Sequence, residues 1–187
     1  MRGGYKMMKM VLCGVLVVVL SALVLVASAK TISVDDDLVE CPYANYTSIQ
    51  EAINNATDGD IILVYYGTYE ENVVINRTLN LTGIGMPVID GKNKGNTIKI
   101  EADNCTISGF KTINSAGDWN LAGIHIASSN NIICNNTLSS NNGHGIGIYS
   151  GNNEIYSNTL SSNGWAGVGI YAGGNTIYSN AIQRYLR

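Results

Sequence analysis

Five carboxylates, Asp90, Glu101, Asp103, Asp118 and Glu154, are the groups in this 187-residue chain best suited to acid–base chemistry. Cleaving a glycosidic bond needs two of them within about 10 Å, one to protonate the leaving oxygen and one to activate water or attack the sugar. Asp90, Asp103 and Asp118 are the catalytic candidates. Asp90 in "VIDG" and Asp103 in "ADN" also suit bends, where an Asp side chain holds its own turn. An elimination would need calcium and a base. Arg77, Lys92, Lys94, Lys99 and Lys111 supply bases without a motif, and Arg184 and Arg187 lie in the tail.

Metal ligands are scarce. His125 and His144 fall in different repeat positions and have no Met beside them, so they read as solvent-facing residues rather than a transition-metal pair. Asp35-Asp36-Asp37 has the oxygen chemistry calcium takes. Three consecutive carboxylates meet at one ion only in a folded loop, so the stretch reads as a solvated acidic segment. Calcium is therefore not indicated, and no cofactor or metal site is expected. Aromatic residues offer a different chemistry. Tyr149 and Tyr171 repeat at one spacing, Tyr156 and Tyr178 at the same spacing, and Trp165 and Trp119 precede the Gly-Ile runs. Sugars stack on such rings, so Tyr149, Tyr171, Tyr156, Tyr178 and Trp165 are the glycan-binding candidates. The alternative is ordinary aromatic pairing across neighbouring strands.

The elements that position these residues follow from an internal repeat. "GIHI" at 123–126, "GIGI" at 145–148 and "GVGI" at 167–170 recur every 22 residues, as do "ICNNTL", "IYSNTL" and "IYSNAI" from 133, 155 and 177. "ISGFKTI" at 107–113 looks like the same element, displaced by an insertion around Asp118. A 22-residue period is too short for a strand-helix-strand crossover and fits one coil of a solenoid. Coils would stack about 4.8 Å apart. The fold expected is all-β, a right-handed parallel β-helix of short strands over 60–187. Ile133, Ile155 and Ile177 would form one inward column, Leu138, Leu160 and Ile182 another, and Ile126, Ile148 and Ile170 a third. Asn136, Asn158 and Asn180 would form an amide ladder at a bend. Before the coils lies a lead-in segment, 30–46. A capping helix and turn follow at 47–59, with Thr47 as N-cap and Gln50 closing a capping box.

Residues 1–29 read as a secretory signal. Arg2, Lys6 and Lys9 precede an apolar run, and Ala27-Ser28-Ala29 offers a cleavage site. An uncleaved N-terminal anchor is the alternative. The expected location is outside the cell or on its surface. Cleavage would leave 8 basic against 14 acidic residues, a net charge of −6. Such a chain does not hold nucleic acid by charge. Cys41, Cys105 and Cys134 would remain, which allows at most one disulfide. Six sequons, at Asn45, Asn55, Asn76, Asn80, Asn104 and Asn135, allow N-glycosylation in a host that performs it.

The stretch "YTSIQEAINNATDGDIILVYYGTYEENVVINRTLNLTGIG" at 46–85 resembles the opening of extracellular β-helix proteins of the pectin-lyase-like superfamily. "VIDG", "TISGF" and the "NNTL…GIGIY" coils resemble the NosD-like, or periplasmic copper-binding-like, β-helix family. "TISVDDD" is similar to the start of archaeal cell-surface proteins with these repeats. The resemblance spans residues 31–182 and implies the fold more than the activity. The function expected is that of an exported cell-surface or secreted module that binds glycan or packs with envelope components, its partner an extracellular polysaccharide or an envelope glycoprotein, with a polysaccharide-active enzyme, hydrolase or lyase, or a fragment of one, as the alternative. Further coils and a cap would be expected after "QRYLR". An open last coil would pair with a second copy or a partner chain.

Overall fold

The computed structural model describes residues 28–183. Nearly all of the segment read as a signal, 1–29, lies outside them, as do Arg184 and Arg187. Among the described residues no helix is long and apolar enough to cross a membrane.

The chain begins with β1 (Thr31–Val34) and a short helix α1 (Ile49–Asn55), then winds into coils. The first coil is β2 (Ile61–Val64), β3 (Thr68–Tyr69) and β4 (Val73–Ile75). The second is β5 (Asn80–Gly83), β6 (Val88–Asp90) and β7 (Ile98–Ile100). The third is β8 (Thr106–Ser108), β9 (Lys111–Ile113) and β10 (Ala122–Ile126). The fourth is β11 (Ile132–Cys134), β12 (Thr137–Ser139) and β13 (His144–Ile148). The fifth is β14 (Glu154–Tyr156), β15 (Thr159–Ser161) and β16 (Val168–Ile170), and β17 (Thr176–Tyr178) and β18 (Ala181–Gln183) begin a sixth. Equivalent strands of successive coils pair in parallel, which makes three sheets. The first sheet runs β1-β2-β5-β8-β11-β14-β17, the second β3-β6-β9-β12-β15-β18, and the third β4-β7-β10-β13-β16. This is a parallel β-helix.

The aliphatic columns follow from the register. Ile107, Ile133, Ile155 and Ile177 stand over one another, and Ile62 and Leu81 extend the column to the first coil. All but Ile177 are fully buried. Leu138, Leu160 and Ile182 form the second column and Ile126, Ile148 and Ile170 the third. Ile170 and Ile182, on the last described rungs, are more than half exposed. The 22-residue register holds from β11 onward, whereas Ile107 to Ile133 is a step of 26. The extra residues lie in the loop 114–121 between β9 and β10.

From the third coil onward the corners share one construction. The residue before the bend takes a left-handed backbone: Asn104, Gly109 and Asn114 in one coil, then Asn130, Asn135 and Ser140, then Asn152, Ser157 and Ser162. The next residue points inward, and from the fourth coil it is always Asn. Three amide ladders result, not one. Asn131 donates its N–H and Nδ2 to Asn153 Oδ1, Asn136 does so to Asn158, and Asn141 to Asn163. The ladders start on the N–H groups of Cys105, Phe110 and Ser115. A buried amide with all its partners in place holds a bend without leaving orphan polar groups.

The N-terminal end of each sheet is closed by a different device. Strand β1 extends the first sheet over β2. On the third sheet the Gln50 side chain stands in for a strand, accepting from Val74 N–H at 2.7 Å and donating to Val74 C=O at 3.2 Å. On the second sheet Asp36 Oδ2 accepts from Thr68 N–H at 3.0 Å. Gln50 is thus occupied, and the expected capping box with Thr47 does not form. Ser48 is the N-cap, accepting from Glu51 N–H, and the Glu71 carboxylate takes the N–H groups of Ile49 and Gln50. Two further expectations are corrected. Asp35 is fully buried rather than solvated, and His144 is 4% exposed rather than open to solvent.

Candidate functional site

The densest gathering of chemically capable side chains lies on the outer face of the third sheet. Two features of the local fold create it. The first is a break in strand alternation. A Cβ on Gly123 would lie 2.7 Å from Thr112 Oγ1, and one on Gly145 would lie 2.8 Å from Leu160 Cδ2, so both glycines face inward. The isoleucines after them, Ile124 and Ile146, are also buried in the core. Two successive inward residues turn the preceding one outward, as in a β-bulge. That residue is His144 in β13. The second feature is the loop 114–121, which reaches along the axis over the next coils.

His144 is the centre of the cluster. Its Nε2 is 3.0 Å from Trp119 C=O and 2.8 Å from Tyr171 Oη. A carbonyl only accepts, so the imidazole proton sits on Nε2. Nδ1 is then the bare nitrogen, buried and without a hydrogen-bond partner among the described residues. The ring lies flat over Gly169, where a Cβ would come within 2.9 Å of it. Trp165 is 6.4 Å away by centroid and Tyr171 is 5.8 Å. Burial lowers the His144 pKa below that of a free imidazole.

A second row runs beside it. Tyr149 stacks on Tyr171 at 4.6 Å and on His125 at 4.4 Å, so both faces of Tyr149 are covered. His125 Nδ1 bonds Asn120 C=O, and the Tyr149 hydroxyl donates to Trp119 C=O. Burial and the neighbouring Tyr171 push the Tyr149 phenol up to about 12. Burial also lowers the His125 pKa. Trp119 meets Tyr171 edge-on at 6.3 Å. Trp119, Trp165 and Tyr171 are each at least half exposed. The inner ring Tyr149 therefore presents its rim, while Trp119, Trp165 and Tyr171 keep surface open to a ligand. On the first sheet Tyr156 and Tyr178 stack at 5.1 Å, and Tyr178 donates to Glu154 Oε1 at 2.7 Å.

The carboxylates are spread around the coil. Asp90 accepts from Lys92 N–H and Asn114 Nδ2 at the bend after β6. Asp103 accepts from Ser129 N–H at the bend after β7, and Glu101 pairs with Lys99 at 2.6 Å. Asp118 accepts from Trp119 N–H within its own loop. Asp90 and Asp103 thus stand at different corners, each held in turn structure. Among the described residues Cys41, Cys105 and Cys134 form no disulfide with one another. All six sequon asparagines are exposed.

Sequence reading placed the tyrosine pairs and Trp165 but missed His144 as the hub. Its signal was the Gly-Ile pair after it, which breaks the two-residue alternation.

No family model matches the chain. Over 68 residues it is 43% identical to a cell surface glycoprotein of Methanothermus fervidus, a match covering 35% of this chain and 12% of that protein. The chain thus spans about an eighth of the length of that relative. Two solved pectin methylesterase structures, complexes with hexasaccharide VII and, for a mutant, hexasaccharide IV, superpose with TM-scores of 0.53 at 16% and 15% identity. Each covers 73% of this chain and 56% of its own. At that identity the likeness concerns the path of the backbone alone: the chain shares the parallel β-helix fold of those structures.

Proposed function

We propose that this chain is an exported cell-surface module whose β-helix binds polysaccharide, or the glycans of an envelope glycoprotein, through the aromatic patch on its third sheet. The observation that carries the reading is the trio Trp119, Trp165 and Tyr171, at least half exposed and gathered around His144, which bonds the Trp119 C=O and the Tyr171 hydroxyl while Tyr149 stacks on Tyr171. Rigid rings with open faces suit the apolar faces of sugars and lose little side-chain freedom on binding. The surface location draws on the likeness to a cell surface glycoprotein and on the leader-like residues 1–29. The NosD-like resemblance of the coils agrees with it. Tyr178, stacked on Tyr156 on the first sheet, would be a separate glycan contact.

The test is a polysaccharide panel in affinity electrophoresis, comparing the native chain with Trp165→Ala, Trp119→Ala and Tyr43→Ala. Tyr43 is 94% exposed and outside the patch, which makes it the control. Retardation by at least one polysaccharide, weakened tenfold or more by either Trp change and unaltered by Tyr43→Ala, is the expected result. Retardation insensitive to both Trp changes, or none across the panel, would overturn the reading.

A further inference from the structure

Among the described residues a fully buried carboxylate, Asp35, lies toward the N-terminal end of the stack, away from the aromatic patch. After β1 the chain leaves the stack in a loop, 35–44, and returns so that the N–H groups of Asn45 and Tyr46 bond Ser33 C=O. One oxygen from each of Asp35, Asp37 and Glu40 lies within 4.8 Å of the other two. Asp37 and Glu40 are exposed, whereas Asp35 has no exposed surface. Its Oδ2 accepts from Cys41 N–H at 2.6 Å, and its Oδ1 has no hydrogen-bond partner among the described residues. The ion pairs among the described residues are Lys30–Asp60, Lys92–Glu70 and Lys99–Glu101, and none of them reaches this loop.

A buried carboxylate with one oxygen unsatisfied and no counter-ion is costly. Two more carboxylates beside it raise that cost by like-charge repulsion. A cation held by all three removes both penalties at once. We infer that the loop 35–40 is a binding site for a hard divalent cation, calcium, held by Asp35, Asp37 and Glu40. The donors are all oxygen, which disfavours transition metals. Three carboxylates give up to six oxygens in a flexible arrangement, and backbone C=O groups or water complete a shell of the kind calcium accepts and magnesium does not.

The position gives the ion a purpose. Asp36, between two of the ligands, holds the edge of the second sheet by accepting from Thr68 N–H. The loop packs near the buried Tyr69, whose hydroxyl donates to Tyr65 C=O and whose pKa is raised by burial and by the charges of Asp36, Asp35 and Glu40. Calcium would therefore pin the cap over that sheet edge.

The experiment titrates calcium chloride into the purified, EGTA-treated chain by calorimetry and follows the melting temperature in parallel. One calcium per chain is expected, with a Kd at or below about 10⁻³ M, the range of extracellular calcium modules. The melting temperature should rise by several degrees in 10 mM calcium and much less in 10 mM magnesium. Asp37→Asn and Glu40→Gln alter exposed side chains and leave the fold intact, so each should weaken binding tenfold or more without lowering the calcium-free melting temperature. Asp35→Asn should abolish binding while holding or raising that temperature. No heat and no thermal shift relative to matched sodium chloride would overturn the inference. So would unchanged calcium binding in the Asp37→Asn, Glu40→Gln double variant.

Discussion

Asn158 and Asn136 are joined twice. Asn158 Oδ1 accepts from Asn136 N–H at 3.0 Å and from Asn136 Nδ2 at 3.1 Å, and both residues are 1% exposed. Asn158 Nδ2 in turn donates to Ile133 C=O, Tyr156 C=O and Asn180 Oδ1. One side chain thus satisfies the polar groups of three consecutive coils at one corner.

Replacing Asn158 by Ala should therefore cost more than a typical polar change. It leaves the Asn136 N–H and one Asn136 Nδ2–H without their acceptor, about 1–3 kcal/mol for each such group. A loss of about 2–4 kcal/mol in urea unfolding is expected. Asn142→Ala, at an exposed position bonded only to Asn93 Oδ1, should change stability by about 0.5 kcal/mol or less.

Ile155 tests the core in the same way. It is fully buried between Ile133 and Ile177. Ile155→Asp places a carboxylate in an aliphatic column with no cation in reach, a loss of about 4 kcal/mol or more. The melting transition should shift down sharply or vanish. An unchanged melt would mean that the strand faces outward.

Ile155 also shows why so much of the fold was legible. In a solenoid the residues that touch are those one repeat apart, so a period of 22 in the sequence is a contact map. The same spacing marked the Tyr149–Tyr171 and Tyr156–Tyr178 stacks. Most strands of the second sheet were harder to see. "TLS" at 137–139 and 159–161 has one inward Leu between two polar residues, too short to display alternation. The Asn131 and Asn141 ladders carried the spacing too, but each Asn also suits an ordinary turn. Contacts that cross the repeat were illegible. His144 meets Tyr171, 27 residues on, only because a bulge turns it outward. Asp35 in an acidic run reads as solvated, and its burial comes from a loop that no local pattern announces.

His144 and His125 give a pH signature. Burial lowers both pKa values below the ordinary 6.5, so the unfolded chain binds more protons than the folded one just below that pH. Stability from these groups is therefore complete above about 6.5 and is lost as pH falls. The groups facing them are the Tyr171 hydroxyl for His144, and Lys99 and Glu101 for His125. The melting temperature should decline between pH 7.5 and 5.5, before ordinary carboxylates titrate. His144→Gln should flatten part of that decline, and His144→Gln with His125→Gln most of it. Equal slopes in all three chains would show that the imidazoles are no less free to protonate when folded.

Gly169 links the coil to the patch most directly. A methyl group there would lie 2.9 Å from His144 Cε1 and 3.0 Å from both ring nitrogens. The ring cannot stay where it is, and its bond to Tyr171 depends on its position. The core is untouched, because the methyl projects onto the outer face. Gly169→Ala should thus cost about 1–3 kcal/mol, the range for overpacking, and disturb the Trp119 and Trp165 environments seen in tryptophan fluorescence. Polysaccharide retardation should fall with it while the far-ultraviolet β signal stays. Gly173→Ala is the matched control, since nothing lies within 4 Å of a Cβ there. If Gly169→Ala binds as the native chain does, the patch does not depend on His144 for its shape, and the ligand contacts lie on Trp residues that hold themselves.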